Sequence, residues 1–363
     1  MSKTMRAFCG VLDGQIVSFT SKNASTSEKS AFPEVFHVDT SSNKLLGWFG
    51  WASSWQRSGA EALTKDVNLI TCHMMLRYHS HWARSVAKKE DIPYWVIPHG
   101  QLDPWVYTYR AGVKQLWLRL FGRRILQTAQ YVIFATESER KKASWFYEGA
   151  NTRVVHWPVE LIDVSKKDDC RLGLRRDLGV SEDSRILLFF GRLHSMKRPL
   201  ETIELLSKTN DSKLHLVVVG PDGDISAERC RKEAQALGVG SRVHVLGPVF
   251  GEKKNQYLLG ADAFISLSHR ENFGHTAAEA LAAATPVILS PGNDLGPELA
   301  SRSCGWLLES NDLEDALSAI EDLTRSDQND LRGKGNRGRD FIAEECSPDR
   351  FRRALLEMKN SQA

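Results

Sequence analysis

The segment RILLFFG at residues 185–191 is a short apolar run that ends in glycine, and KLHLVVVG at residues 213–220 repeats the pattern. Near-continuous Val, Leu, Ile and Phe over this length predicts strands that are covered on both faces, as in a parallel sheet. A segment with helical spacing follows each run, at 198–209 and at 227–238. This alternation of strand and helix predicts a doubly wound α/β domain.

The same alternation extends outward along the chain. Further strands are predicted at 15–21, 67–73, 93–100, 130–138, 242–249, 263–268 and 285–290. A chain of 363 residues exceeds the size at which one hydrophobic core stops growing, so we expect two domains. We place them at residues 1–165 and 166–346, divided in the polar stretch 162–184, with a helix and tail at 347–363. Open parallel sheets bind ligands at the carboxyl ends of their strands, so two in tandem predict a ligand cleft.

Composition narrows the function classes. A net charge of +3 is too small to indicate nucleic-acid binding, but it leaves room for a local basic site that binds an anionic small molecule. The six cysteines form no CxxC pair and no zinc-ligand spacing, which favours a reduced, cytoplasmic compartment. The first ten residues are too polar for a signal peptide, and no apolar run approaches the roughly 18 residues of a membrane span. We expect a soluble protein, or one that touches a membrane from the side.

The loop FFGRLHSMKRP at 189–199 carries the first candidate site. Gly191 ends the strand, Arg192 follows it, and Lys197 comes five residues after Arg192. The planar fork of arginine and the point charge of lysine together suit a diphosphate. A solvated basic loop is the alternative, and the spacing alone does not decide whether Lys197 or Arg198 faces the ligand.

The segment SHRENFGHTAAEALAAATPV at 268–287 carries the second candidate site. Glu271 and Glu279 bracket the predicted start of an alanine-rich helix. The free NH groups and positive dipole end of a helix start bind phosphate, and a carboxylate there accepts hydrogen bonds from sugar hydroxyls. The alternative is structural, because Thr276 and Glu279 have the T-x-x-E spacing of a capping box.

Together with CGWLL at 304–308, these two segments resemble the large retaining glycosyltransferase family 4, of GT-B fold. The stretch IPYWVIPHGQLDPW at 92–105 resembles members that build bacterial exopolysaccharide and lipopolysaccharide. The resemblance covers roughly residues 67–355. It implies two Rossmann-like domains facing a cleft, with the acceptor side in the first and the nucleotide sugar in the second. It also implies transfer of a sugar, with retention of configuration, from a nucleotide-diphosphate sugar (a UDP-sugar) to a hydroxyl of a saccharide or lipid-linked saccharide in surface polysaccharide biosynthesis.

The resemblance also implies roles for individual residues. Arg192 and Lys197 match the pair that holds the donor pyrophosphate, Glu271 matches the acid near the donor sugar, and Glu279 matches the acid on the ribose. The catalytic residues expected are Arg192, Lys197, Glu271 and His99, and the donor-binding residues are Gly191, Phe273, Gly274, His275, Thr276 and Glu279. For His99, a purely structural role in a turn remains the alternative.

We expect no cofactor and no metal. The histidines His73, His79 and His81 lack a carboxylate pattern that would complete a ligand set, although His73 ends a strand and could line the cleft. Asp222 and Asp224 in PDGD mimic a metal-binding D-x-D, but a polar turn fits better after a strand whose loop already offers two cations.

Three further expectations concern partners and activity. Residues 105–127 mix aromatic, Arg and Lys residues, so this segment either packs in the first domain or touches an anionic membrane, and the two are compatible. Only about fourteen residues precede the strand at 15–21, so the first strand and Gly-rich loop of the family are expected to be missing, which bears on the acceptor site. An inactive nucleotide-sugar-binding or scaffold protein, and a nucleotide-sugar epimerase, remain alternatives to the transferase.

Overall fold

The computed structural model describes residues 3–14, 16–20, 35–43, 50–62, 67–108 and 111–361. The chain divides into two compact units, residues 1–156 with 352–363, and residues 157–351. Each unit contains a parallel sheet with helices, which confirms the predicted α/β class with two Rossmann-like domains. The predicted boundary between residues 165 and 166 lies inside the second unit.

The strands of the first unit form two parallel sheets among the described residues. They are β1 (Ile16–Thr20), β2 (Val35–Asp39), β3 (Ile70–His73), β4 (Tyr94–Ile97), β5 (Tyr131–Phe134) and β6 (Thr152–Val154). β1 pairs with β2, and the larger sheet has the order β3-β4-β5-β6. All four residues of β4 and of β5 are buried, as the continuous apolar runs predict. Gln15 and Ser21, the ends of the first predicted strand, lie outside the described residues.

The described helices of the first unit flank its two sheets. They are α1 (Lys3–Leu12), α2 (Ser54–Ala62), α3 (Tyr78–Lys89), α4 (Ala111–Trp117), α5 (Arg123–Gln127) and α6 (Glu137–Ala143). A π-helical turn at Leu118–Gly122 joins α4 to α5, and a 3-10 turn spans Pro104–Tyr107. Leu118, Ile125 and Leu126 are buried in the core of the unit, as the core-packing interpretation of 105–127 predicts.

The second unit has one six-stranded parallel sheet. Its strands are β7 (Arg185–Phe190), β8 (Leu214–Val219), β9 (Val243–Leu246), β10 (Ala263–Ser266), β11 (Val287–Leu289) and β12 (Gly305–Leu307). The order β12-β11-β10-β7-β8-β9 is that of a doubly wound dinucleotide-binding sheet. The strand order reverses between β7 and β10, so the chain leaves these two strands toward opposite faces of the sheet. This creates a crevice for a ligand at the carboxyl ends of β7 and β10.

Helices flank this sheet. They are α7 (Lys167–Leu178), α8 (Pro199–Lys208), α9 (Ala227–Ala236), α10 (Gly251–Gly260), α11 (His275–Ala282), α12 (Gly296–Leu299), α13 (Leu313–Arg325), α14 (Gln328–Glu345) and α15 (Pro348–Asn360). The predicted C-terminal helix is therefore present as α15, and from residue 352 onward it belongs to the first unit. The last two residues of the predicted 347–363 segment are outside the described range.

A buried ion pair stabilises the opposite edge of this sheet, where the strands begin. The fully buried Arg175 of α7 binds the carboxylate of Asp262, which precedes β10. Asp262 also accepts a hydrogen bond from the amide of Ile186 in β7 at 2.7 Å. Removing one partner of such a pair costs about 3–5 kcal/mol, because the other charge stays buried. The network thus holds β7 and β10 side by side.

No described helix combines the length and the apolar character that are needed to cross a membrane.

Candidate functional site

Two loops meet at the switch point of the second sheet. The loop after β7 contains Arg192 and Lys197, and the loop after β10 contains Glu271. Because β7 and β10 are paired neighbours, both loops leave the same edge. The amide of His269 donates to the carbonyl of Met196 at 2.9 Å, which ties one loop to the other. The structure therefore brings together residues that are about eighty positions apart in sequence.

Lys197 and Glu271 form an ion pair across these loops. Both side chains are largely buried, with exposed fractions of 29% and 17%. Burial, and secondarily the nearby Arg192 guanidinium, lower the pKa of Lys197 to about 8, whereas the contact with Glu271 favours the charged form. At pH 7 the ammonium is protonated in either case. The edge thus holds a desolvated cation whose orientation is set by a carboxylate.

The structure separates the adjacent cations Lys197 and Arg198. Arg198 is buried, adopts a left-handed backbone (φ 58°), and donates to the carbonyl of Asn311 at 2.9 Å. Its backbone conformation directs the chain into α8, and its guanidinium is already engaged by the carbonyl of Asn311. Arg192 is exposed, and within the described part of the chain it forms no ion pair. Lys197 and Arg192 are therefore the cations of this loop that remain suited to a ligand.

The start of α11 depends on a glycine. Gly274 is the N-cap residue in a left-handed conformation (φ 72°, ψ 55°), and a Cβ there would lie 2.6 Å from Nδ2 of Asn293. Phe273 beside it is fully buried, and its ring meets the ring of His275 edge-on at 5.1 Å. The capping-box interpretation is wrong, because Gly274 caps the helix and Thr276 lies inside it. The helix therefore starts four residues after Glu271, as predicted, and anion binding at this start stays a prediction.

Glu279 has a different partner from the one a capping box would supply. Its carboxylate forms an ion pair with Lys254 of α10, and both side chains are largely buried, 15% and 19% exposed. The Lys254 ammonium also lies 5.8 Å from the ring centroid of Phe190 at the end of β7. Each of the two predicted acids is therefore paired with a lysine. This pairing offsets the negative charge that would otherwise repel a diphosphate.

Lys254 and Asn293 were not predicted from sequence. Asn293 is fully buried, its Oδ1 accepts from the amide of Leu295 at 3.1 Å, and its Nδ2 has no partner among the described residues. Backbone bonds of 2.8 Å from Glu271 to Gly292, and from Asp294 to Glu271, join the loops after β10 and β11. The Asn293 side chain thus packs against the turn at Gly274. No sequence pattern predicts either residue, because their positions at this site follow from the order of the strands in the sheet.

Asp222 and Asp224 stabilise the neighbouring turn. Asp224 accepts hydrogen bonds from the amide and hydroxyl of Ser195 at 2.8 and 2.5 Å. Asp222 accepts from the amide of Ala227 at the start of α9, at 2.8 Å. Both carboxylates therefore serve loop geometry, as the polar-turn interpretation predicts. No group of three or more metal-ligating side chains occurs in the described ranges.

His99 lies in the first unit, after β4. Its backbone is left-handed (φ 51°), and the next amide, of Gly100, donates to the buried carboxylate of Glu139. Nε2 of His99 lies 2.9 Å from Nδ1 of His73, the last residue of β3. Burial, followed by the nearby His99 and His79, lowers the pKa of His73 well below its ordinary value. His99 is thus both part of a turn and hydrogen-bonded to a neutral imidazole, a partner that sequence reasoning did not assign.

The histidines His79 and His81 do not join this pair into a ligand set. Nε2 of His79 contacts the backbone carbonyl of His73 at 2.9 Å, and burial lowers the pKa of His79. His81 packs edge-on against Phe121 at 4.8 Å.

Comparison with known proteins shows what the second unit resembles. Residues 172–339 match the family model described as Glycosyl transferases group 1. D-inositol 3-phosphate glycosyltransferase from Nocardioides sp. is 30% identical over 228 residues, which is 58% of this chain and 49% of that protein. The chain thus spans about half the length of the curated relatives it matches.

Solved structures extend the likeness to both units. Anabaena HepE in complex with UDP and glucose has a TM-score of 0.76 at 16% identity, covering 99% of this chain and 96% of that one. The apo lipopolysaccharide outer core galactosyltransferase WaaB has a TM-score of 0.69 at 16% identity, covering 100% and 97%. The fold is therefore that of GT-B glycosyltransferases.

Proposed function

We propose that the protein is a glycosyltransferase that binds a nucleotide-diphosphate sugar at the switch point of its second unit. One observation carries the proposal. The loops after β7 and β10 bring the cations Arg192 and Lys197, the acid Glu271 and the start of α11 to one edge of the sheet. This combination suits a ligand that is half phosphate and half polyol.

The proposed chemistry is stabilisation of the leaving group. Cleavage of the sugar–phosphate bond builds negative charge on the diphosphate. Arg192, Lys197 and the positive end of α11 would oppose that charge, and Lys197 and the helix start are held in place before the reaction. Glu271 would contact the sugar side of the donor and Glu279 the ribose. Gly191 and the backbone of residues 273–276 would complete the donor site.

The finer assignments are proposals of the same kind. UDP is the proposed nucleotide, supported by the UDP-bound structural neighbour. Retention of configuration without a metal or cofactor follows the resemblance to family 4, and the likeness to WaaB supports a role in surface polysaccharide synthesis. The proposed acceptor is a saccharide or lipid-linked saccharide, and His99 would act beside the transferred sugar. A lipid-linked acceptor would bring the protein to the inner face of a membrane.

Calorimetric titration with UDP, GDP and ADP tests the donor site. We expect micromolar binding of one nucleotide by the wild type and at least about tenfold weaker binding by Glu279→Ala, since charge-assisted hydrogen bonds contribute about 1.5–3 kcal/mol. Glu314→Ala, at an exposed position of α13, is the matched control and should bind normally.

Absence of binding by the folded wild type would refute the donor site. Binding without sugar transfer or donor hydrolysis, with a range of saccharide acceptors, would instead indicate the nucleotide-sugar-binding alternative. Epimerisation of the donor sugar would indicate the nucleotide-sugar epimerase alternative.

A further inference from the structure

An exposed apolar stripe runs along α4 and the π-helical turn that follows it. Val113, Leu116 and Leu120 are 41%, 57% and 54% exposed. Their spacing of three and four residues places them on one side of a helix. Leu118, on the opposite side, is buried in the core of the first unit, and Trp117, which borders the stripe, is buried as well. The stripe is therefore not an accident of fraying, because the same helix is anchored from behind.

Basic residues border the stripe. Arg119 lies three residues after Leu116, and Arg123 and Arg124 lie three and four residues after Leu120, so each is a neighbour on the helix surface. All three arginines are exposed, and within the described part of the chain none of them forms an ion pair. Acidic residues are absent from residues 104–136, a stretch that holds five basic residues. The whole surface segment is thus cationic around an apolar centre.

We propose that this face, Val113–Arg124, docks the protein on an anionic lipid bilayer. A helix that lies in the membrane interface buries an apolar side by about 5–10 Å and keeps Lys and Arg at the level of the headgroups. Each basic residue near an anionic surface strengthens binding by about fivefold, which is roughly 1 kcal/mol. The charge around the stripe therefore selects anionic lipid over a neutral apolar partner.

Co-sedimentation of the full chain with vesicles tests this inference. Vesicles of phosphatidylcholine alone are compared with vesicles that also contain phosphatidylglycerol, at about 0.1 M salt, where surface charge is only partly screened. We expect binding to the anionic vesicles that falls as salt is raised. Leu116→Gln with Leu120→Gln should weaken this binding by about tenfold or more. The matched control, Leu161→Gln with Leu172→Gln at exposed sites of the second unit, should not.

A second pair of variants isolates the charge. Arg119→Gln with Arg123→Gln should weaken binding to anionic vesicles by more than about tenfold, whereas Arg352→Gln with Arg353→Gln, also exposed, should change it little. Equal binding to neutral and anionic vesicles, or none to either, would overturn the proposal. So would a wild-type dimer in light scattering that the leucine variant converts to a monomer, since the stripe would then cover a second copy.

The assay contains no nucleotide and no acceptor. A failure here is therefore separate from a failure of the proposed donor site.

Discussion

Lys197 shows how a single residue acquires its properties from its surroundings. Its charge was predicted from sequence, but its burial and its contact with Glu271 come from the pairing of β7 with β10. A cation that is already desolvated and oriented interacts with a diphosphate more strongly than a mobile surface lysine does. The same residue is also made sensitive to pH in a range where lysines are normally fully charged.

We predict that nucleotide affinity falls as the pH rises above about 8. The lowered pKa of Lys197, about 8, means that its positive charge is present below that pH and is lost above it. Loss of a charge-assisted contact should weaken binding by about tenfold or more. Calorimetric titration of the nucleotide between pH 7 and 10 measures the change.

Lys197→Arg serves as the control, because the guanidinium stays charged over this range. Burial also lowers the pKa of Lys167 to about 8, so the variant is needed to assign the effect. An equal decline of affinity in Lys197→Arg would assign the pH dependence to another group.

At the scale of elements, the effect of replacing a helical glycine by alanine depends on how closely another backbone segment approaches that glycine. Gly333 and Gly335 both lie within α14, two residues apart. A Cβ at Gly335 would lie 2.0 Å from the carbonyl oxygen of Ala284, whereas at Gly333 the nearest atom is the flexible end of Arg337 at 3.4 Å. α14 packs closely on the end of α11 through Gly335, and so supports the helix that begins at the proposed donor site.

Opposite effects are therefore expected from two identical substitutions. Gly333→Ala should raise the free energy of unfolding by about 0.5–1 kcal/mol, because alanine loses less backbone entropy in a helix. Gly335→Ala should lower it by about 1–3 kcal/mol, because the added methyl group displaces backbone. Urea denaturation of the two variants compares them directly, and stabilisation by both would show that the two elements do not approach closely in solution.

At the scale of the whole molecule, the chain consists of two units with their own cores, and α15 carries residues of both. All residues proposed for the donor site lie in the second unit. Ligand binding to one folded unit stabilises that unit by an amount that depends on ligand concentration, about 2.7 kcal/mol at a hundred times the dissociation constant.

We predict two calorimetric unfolding transitions, of which UDP raises one. Leu355→Ala, at a fully buried position of α15 assigned to the first unit, should lower the other transition. The expected cost is about 2–5 kcal/mol. Leu331→Ala, at a buried position of the second unit, is the converse control and should lower the transition that UDP raises. A single transition that is shifted by UDP and by both substitutions would contradict the prediction that the two units unfold independently.

Sequence alone determined five of the six strands of the second unit and the residue types of its proposed site, because continuous apolar runs and loop chemistry are local properties. β7, β8 and α11 formed where predicted, and Arg192, Lys197, Glu271 and Gly274 were identified by pattern. The tertiary structure alone decided the partners. Lys254 faces Glu279, Asn293 packs against Gly274, and His73 contacts His99, because sheet order places segments that are distant in sequence next to each other. No local pattern records which strands become neighbours, so these contacts could not be predicted from the residues themselves.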